Sequence, residues 1–292
     1  MKIVFFGNTK YSVIVAKTLH DAFGLTSLVT IPDRPLGRKK ILTPSPVKQF
    51  GLDKTTPIIT LESFGKETLD QLRDMDFFVV ADYGLILPQE VLDLPKKAPL
   101  NVHHSLLPKY RGPSPAPTAI LNGEKVSGVS IIKMVDKVDG GTLLKQEEYT
   151  LKAGETTDSL LTTLNTIGAK LVVATIKNFD TIIPTPQDES KATLTPRMSK
   201  QDGYIDLENP PTPEKLDRMI RAYYPWPTAW SKANLRGQVK ILKFLPQKGT
   251  PFEASFFRVQ VEGGKPMSVK DFVNGYPETR NVIMRILEEP KL

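Results

Sequence analysis

Two of the three histidines in this chain stand side by side, His103 and His104, just after Asn101. If this stretch ends a β-strand, side chains alternate between faces, so Asn101 and His103 share one side and His104 takes the other. Asn101 then offers an amide donor and His103 an ionisable ring in one small space, while His104 suits a packed or solvent-facing place. The same residues also fit a strand end whose polar groups are simply satisfied. An imidazole put to chemical use needs a carboxylate to orient it, and the segment SIIKMVDKVDGGTLL supplies two. Asp139 precedes Gly140 and Gly141, where the backbone can turn sharply and present the carboxylate to a cleft. Asp136 reads as solvated. Asn101, His103 and Asp139 together make an acyl-transfer set without a protein nucleophile. The amide and a protonated imidazole donate to an oxyanion, while the carboxylate keeps the ring charged and accepts a proton through water. Serine-type chemistry fits less well, because Ser105 lies two residues from His103 on an extended chain and no G-x-S-x-G elbow occurs.

The elements that must position these groups alternate. Residues 2–6 read as a buried strand closed by Gly7, and a helix capped by Ser12 follows, ended by Gly24. Residues 25–30 form a second strand and residues 33–46 a loop rich in Pro, Arg and Lys. Residues 67–74 look helical, with strands at 77–81 and 99–103. This short-range alternation predicts a Rossmann-like α/β domain, a parallel sheet with helices on both faces and ligands beyond the carboxyl ends of its strands. The single glycine of residues 7–12 does not match a dinucleotide fingerprint, so a nicotinamide cofactor is not supported. After a helix over residues 157–177, the Pro-punctuated stretch 183–204 reads as a linker. A further helix begins at Thr212, Pro213 and Glu214, and short strands spaced by Gly and Pro then suggest a small β-barrel. The expected organisation is a catalytic domain at 1–182, a linker at 183–204 and a C-terminal β-barrel domain at 205–292.

At 292 residues, with 40% hydrophobic and 24% charged side chains, the chain is an ordinary globular protein. Zero cysteines exclude a disulfide framework, a thiolate nucleophile and zinc sites with sulfur ligands. No secretory signal pattern opens the chain, and no apolar run of the roughly 20 residues needed to span a bilayer is visible, which implies a cytoplasmic protein with no membrane contact. A net charge of +7, denser after residue 204, favours an anionic partner.

The block NVHHSLLPKYRG from Asn101 to Gly112, followed by NGEK from Asn122 and VDGG from Val138, resembles the folate-dependent formyltransferases. Within them the similarity is greatest to the methionyl-tRNA formyltransferases, through PDRPLGRKKILTPSPVK, ADYGLILP, SKQDGYIDL, IRAYYPWPTAW and GGKPMSVKDFVNGY. The resemblance spans nearly the whole chain. It implies an Asn, His, Asp catalytic set at Asn101, His103 and Asp139, with His104 at a position where the family varies. It implies 10-formyltetrahydrofolate as formyl donor, contacted by Ser105, Leu106, Leu107 and Pro108, with Tyr83, Gly84, Leu85 and Leu87 walling an apolar pterin pocket. No metal is implied. The acceptor would be initiator methionyl-tRNA, approached by Arg34, Arg38, Lys39 and Lys40 and gripped along its phosphates by the C-terminal barrel through Lys232, Arg236, Lys240, Lys243 and Lys248, in a protein expected to be monomeric. Trp226 and Trp230 could stack on bases, though the prolines beside Trp226 favour a packing role for it. Ile31, Lys39 and the Ala116, Pro117, Thr118 run depart from the family's common residues on the acceptor side, which touches substrate identity more than chemistry. A sugar-nucleotide N-formyltransferase is the alternative with the same trio and donor, and the basic loop separates the two. A tRNA-binding module without catalysis and a formyltetrahydrofolate hydrolase are further readings.

Overall fold

The computed structural model describes residues 1–37, 39–247 and 257–287. Strand β1 (Ile3–Phe6), helix α1 (Ser12–Phe23), β2 (Ser27–Thr30), the hairpin β3 (Arg34–Leu36) and β4 (Ile41–Thr43), helix α2 (Pro46–Lys54), β5 (Ile58–Thr60), α3 (Lys66–Gln71), β6 (Phe77–Val80), α4 (Gln89–Leu92) and β7 (Ala98–His103) come first. Helix α5 (Pro115–Leu121), β8 (Val126–Lys133), β9 (Thr142–Thr150) and α6 (Thr157–Lys177) follow. Every residue of β1, β2 and β6 is buried, which is why these strands read as unbroken apolar runs rather than as alternating ones.

The sheet has seven strands in the order β5-β2-β1-β6-β7-β8-β9. The first five are parallel, and β8 runs antiparallel to β7. The chain therefore builds outward from β1 through β2 to β5, then returns to the other side of β1 with β6 and β7. That reversal puts a topological switch point between β1 and β6, the crevice where such sheets hold ligands. Asn8 ties the crevice together: its amide donates to the Tyr83 carbonyl and its Oδ1 accepts from Thr30 Oγ1 and Ile31 N, each at 2.9 Å.

Local chemistry corrects several expected boundaries. Ser12 is the first helical residue of α1 rather than its cap, and it exchanges hydrogen bonds with Thr9 instead. The expected loop at 33–46 contains the β3–β4 hairpin, and Ser45 then caps α2 by accepting from Lys48 N at 3.0 Å, with Pro46 at the first helical position. Helix α6, at 21 residues, meets a membrane span only by length and composition: half of its most apolar stretch is buried within the fold, and Thr162, Thr163, Asn165 and Lys170 interrupt it, so it is not an unbroken apolar run.

The C-terminal elements are α7 (Pro213–Ala222), capped by Thr212 as expected, β10 (Ala229–Leu235), β11 (Gln238–Pro246), β12 (Phe257–Val261), β13 (Met267–Ser268), α8 (Val269–Gly275) and α9 (Arg280–Leu287). Among the described residues these strands form an antiparallel sheet in linear order, and α7, α8 and α9 contribute Leu216, Ile220, Phe272 and Ile283 to the core against Leu242, Phe244 and Phe257. Two compact units result, and they are not consecutive in sequence. One comprises Met1–Pro113, Ser127–Tyr149 and Leu161–Thr195; the other comprises Ser114–Val126, Thr150–Leu160 and Pro196–Leu292. The stretch expected as a linker, 183–204, is divided between them.

Candidate active site

Strand β7 carries Asn101 beside Val80 of β6 and Ile132 of β8, with His103 two residues on and next to Ser130. Asp139 lies in the turn between β8 and β9 with φ of 47°, a left-handed conformation that costs a non-glycine residue about 1 to 3 kcal/mol unless its surroundings impose it. The carboxylate is a junction. Its Oδ1 accepts from Asn101 Nδ2 at 3.0 Å; its Oδ2 accepts from Gly112 N at 2.7 Å and faces His103 Nδ1 at 3.5 Å. All three residues chosen from the sequence therefore converge, 38 residues of chain apart, at the carboxyl end of β7. Asp136 is exposed, as expected.

The second His103 nitrogen, Nε2, lies 2.9 Å from the Tyr110 carbonyl. Both ring nitrogens thus face acceptors, so the buried ring is gripped between a carboxylate and a carbonyl rather than left as a free donor. On Asn101, the second N–H of the amide remains after the bond to Asp139.

His104 points the other way and sits with Asp82, Nδ1 to Oδ1 at 3.5 Å, both largely buried. Of the two places expected for it, His104 takes the packed one, with an acidic neighbour. Burial holds the His104 pKa below the ordinary histidine value; Asp82 pulls it upward, and the neighbouring His103 lowers it further. A folded imidazole that resists a proton favours the native state fully above the unfolded pKa, about 6.5, and that advantage is lost as pH falls toward the folded value, by at most ~1.4 kcal/mol per pH unit. Denaturant melts from pH 7.5 to 5.5 should therefore show stability falling with acidification, and falling less in His104→Gln. Parallel curves for the two proteins would remove His104 as the cause.

The loop after β7 is fixed by its own polar groups. Ser105 Oγ donates to Lys109 O at 2.6 Å, Ser130 Oγ donates to Ser105 O and accepts from Leu107 N, and Gln146 Nε2 donates to both Leu107 O and Ser130 Oγ. The Ser105 hydroxyl hydrogen is thus committed to the loop. Leu106 lies over Gly128, where an added Cβ would come within 2.5 Å of it, Leu107 is buried and Pro108 half-buried. Of the expected pterin wall, Tyr83, Leu85 and Leu87 join one apolar cluster with Phe6, Phe78 and Val80, while Gly84 is exposed at φ 87° with open space beside its Cα. The Tyr83 hydroxyl is buried without a hydrogen-bond partner, and burial raises its pKa.

Four positions that sequence reasoning did not single out complete the cage: Tyr110, Arg111, Gly112 and Gln187. Gly112 has φ of 102°, and a Cβ there would meet Thr195 O at 2.8 Å, so only glycine brings its N–H onto Asp139. The quoted KYRG block contained the first three. Nothing in the local sequence around Gln187 pointed to it.

The cations expected to meet nucleic acid separate into two groups. Arg34, Lys39 and Lys40 are exposed on or beside the β3–β4 hairpin, interleaved with exposed Leu36, Ile41 and Leu42; Arg38 lies outside the described residues. In the C-terminal sheet the pairing places Lys243 opposite Trp230 and Lys232 opposite Ile241 on the outer face. Lys240 instead pairs with Ala233 in the register of core residues Leu242 and Phe244 and is half-buried, so it does not share that face. Lys248 lies outside the described residues. The two tryptophans depart from expectation: Trp226 is exposed rather than packed, whereas Trp230 donates Nε1 to Lys200 O at 2.9 Å and packs edge-on against Tyr204.

The formyl transferase family matches residues 1–176, and the formyl transferase C-terminal domain matches residues 197–255. A methionyl-tRNA formyltransferase of Caldicellulosiruptor saccharolyticus is 33% identical over 94% of this chain and 97% of its own length. One from Campylobacter lari is 40% identical over 77% of this chain and 74% of its own. Among solved structures, a methionyl-tRNA formyltransferase from Clostridium thermocellum is similar in fold, with a TM-score of 0.60 at 17% identity over 92% of this chain and 99% of that one. A sugar 3N-formyl transferase, solved in the presence of dTDP and 5-N-formyl-THF, has a TM-score of 0.62 at 18% identity over 92% and 96%. By the matched family and by relatives 33% and 40% identical over most of its length, the chain belongs to the formyl transferases, in the methionyl-tRNA formyltransferase family.

Proposed function

We propose that this protein transfers the formyl group of 10-formyltetrahydrofolate to the α-amino group of methionine on initiator tRNA, and that it does so as a cytoplasmic monomer without a metal. The observation that carries the chemistry is the junction at Asp139, where one carboxylate joins Asn101, His103 and the Gly112 N–H. The neutral amine attacks the formyl carbon, a C–N bond forms, and the N10–C bond breaks as the amine's proton finally reaches N10. Amine availability is ordinary near neutral pH, because an unperturbed α-amino pKa is about 7.7 to 8.0. Asp139 accepts that proton through water. The oxyanion of the tetrahedral intermediate takes the free N–H of Asn101 and, in competition with the Tyr110 carbonyl, the Nε2 proton of His103. A charged acceptor outbids a neutral one for that donor, so the switch occurs as charge develops.

The apolar cluster around Tyr83, Leu85 and Leu87, with the unpartnered Tyr83 hydroxyl, suits a flat heteroaromatic ring carrying polar edges. The Leu106 to Pro108 loop supports the same pocket through its held backbone. On the acceptor side, the hairpin's cations and exposed apolar side chains fit an RNA end whose phosphates and bases are both reachable. Lys232 and Lys243 serve the outer face of the C-terminal sheet, and exposed Trp226 is available for stacking.

Purified protein should formylate methionyl initiator tRNA from 10-formyltetrahydrofolate. Formylation of an amino sugar nucleotide with no product on tRNA would overturn the acceptor assignment while leaving the chemistry. Reversing charge at Lys39 and Lys40 together should raise KM for tRNA, leave KM for the folate donor unchanged, and flatten the salt dependence by roughly 0.7 to 0.9 log units per log unit of salt for each lost phosphate contact. An unaltered salt slope would return the hairpin to solvated surface.

A further inference from the structure

Residues 185–195, expected to be part of a passive linker, hold both loops that build the junction. Thr185 exchanges backbone hydrogen bonds with Leu143 at 2.8 and 2.9 Å, just past the Asp139 turn. Thr193 O accepts from Arg111 N at 2.8 Å, and Thr195 N donates to Arg111 O at 2.7 Å, so the same segment also lies along the Tyr110 to Gly112 loop. Between these anchors, Gln187 Nε2 donates to Asp139 O and to Gly141 O, both at 2.7 Å. Its Oε1 accepts from Arg111 Nε at 3.0 Å and Nη2 at 2.7 Å. Arg111 is only 2% exposed, and its remaining donors reach both carboxylate oxygens of Glu189 at 2.9 Å. The guanidinium therefore fixes the Gln187 amide in one orientation, with the NH2 group aimed at the catalytic turn.

We infer that Gln187 is a positioning residue for the formyl transfer proposed above, acting through the backbone of Asp139. Two carbonyls flanking the turn are pinned by one amide, and these bonds hold the left-handed conformation that aims the carboxylate at Asn101, His103 and Gly112. No contact with substrate is involved, so the role concerns turnover and not recognition. Gly141 leaves no slack on the far side of the turn, since a Cβ there would meet Lys133 O at 1.8 Å.

The test is Gln187→Glu, which keeps and strengthens the acceptor for Arg111 but removes both donors and sets a carboxylate against two carbonyl oxygens. On wild-type protein that formylates its acceptor, this variant should still melt cooperatively and keep both KM values while kcat falls about 10- to 100-fold, a fraction of what a lost general base costs. Gln187→Met, which keeps the chain length without either hydrogen-bonding group, should lose kcat in the same way even if it is less stable. In an Asp139→Asn background, measured in single turnovers with enzyme in excess, Gln187→Glu should cause no further loss, because the group it positions is gone. Wild-type kcat in Gln187→Glu, a fall taken up in KM instead, or a full multiplicative loss in the Asp139→Asn background would each overturn the inference. Wild-type protein inactive on every acceptor would overturn the proposed reaction instead.

Discussion

Asp139→Asn should bind the folate donor as wild type does and lose about 10³-fold in kcat, within the range that a positioned acid or base supplies. The substitution keeps the volume and the turn. It replaces an acceptor that takes two hydrogen bonds and faces His103 by an amide with one acceptor oxygen. Either Asn101 or the Gly112 N–H then confronts an NH2 group, and no carboxylate remains to receive the amine's proton. Equilibrium binding of the donor, followed by rapid-quench formylation, separates the two effects. Unchanged turnover would remove Asp139 from the mechanism, and equal losses in binding and turnover would make it a folding residue.

Asn101→Ala should lower turnover about 10²- to 10³-fold, the usual result of deleting one oxyanion donor, or ~2.7 to 4 kcal/mol in the barrier. Its amide has two hydrogens, one given to Asp139 and one left for the developing charge, so truncation removes a donor and also frees Oδ1 of Asp139. Combining Asn101→Ala with Asp139→Asn should cost less than the product of the single losses, because the two side chains act through one hydrogen bond. A fully multiplicative pair would mean that each works alone. Asn101→Ala with undiminished kcat would leave His103 as the side-chain donor to the oxyanion.

The trio was legible in part, because alternation puts Asn101 and His103 on one side of a strand and a glycine pair marks a sharp turn at Asp139; that this turn lies against that strand end is a tertiary fact neither rule supplies. The parallel half of the sheet was legible for a related reason, since strands buried on both faces write continuous apolar runs. The cage around the trio was not. Gln187 reaches Asp139 across 48 residues of sequence from a stretch whose prolines and polar side chains say only that it is irregular. His104 was placed correctly on the opposite face, but its partner Asp82 lies just beyond the end of β6, and no local pattern announces such a pair. That Lys240 and Lys243 lie on different faces was not legible: a basic residue on β11 points one way or the other according to its register with β10, and that pairing is a tertiary fact. Helices α8 and α9 were missed because short strands and short helices in this region share the same Gly and Pro punctuation.

The chain passes back and forth between its two compact units. Residues 114–126 and 150–160 leave the first unit to join the second: Thr157 Oγ1 donates to Ala222 O at 2.6 Å, Arg221 Nη1 reaches Glu155 O at 3.0 Å, and Gly123 lies against the Arg218 guanidinium. No single scission therefore yields two self-sufficient halves. A ribosome that has released everything up to residue 195 has delivered two stretches whose partners in the second unit are still unmade: α5 packs against α7, and the carbonyl that Thr157 meets belongs to Ala222. Separate expression of an amino-terminal fragment should give a sticky, chaperone-dependent product, and grafting the carboxyl-terminal portion onto another enzyme would require carrying both inserted stretches with it.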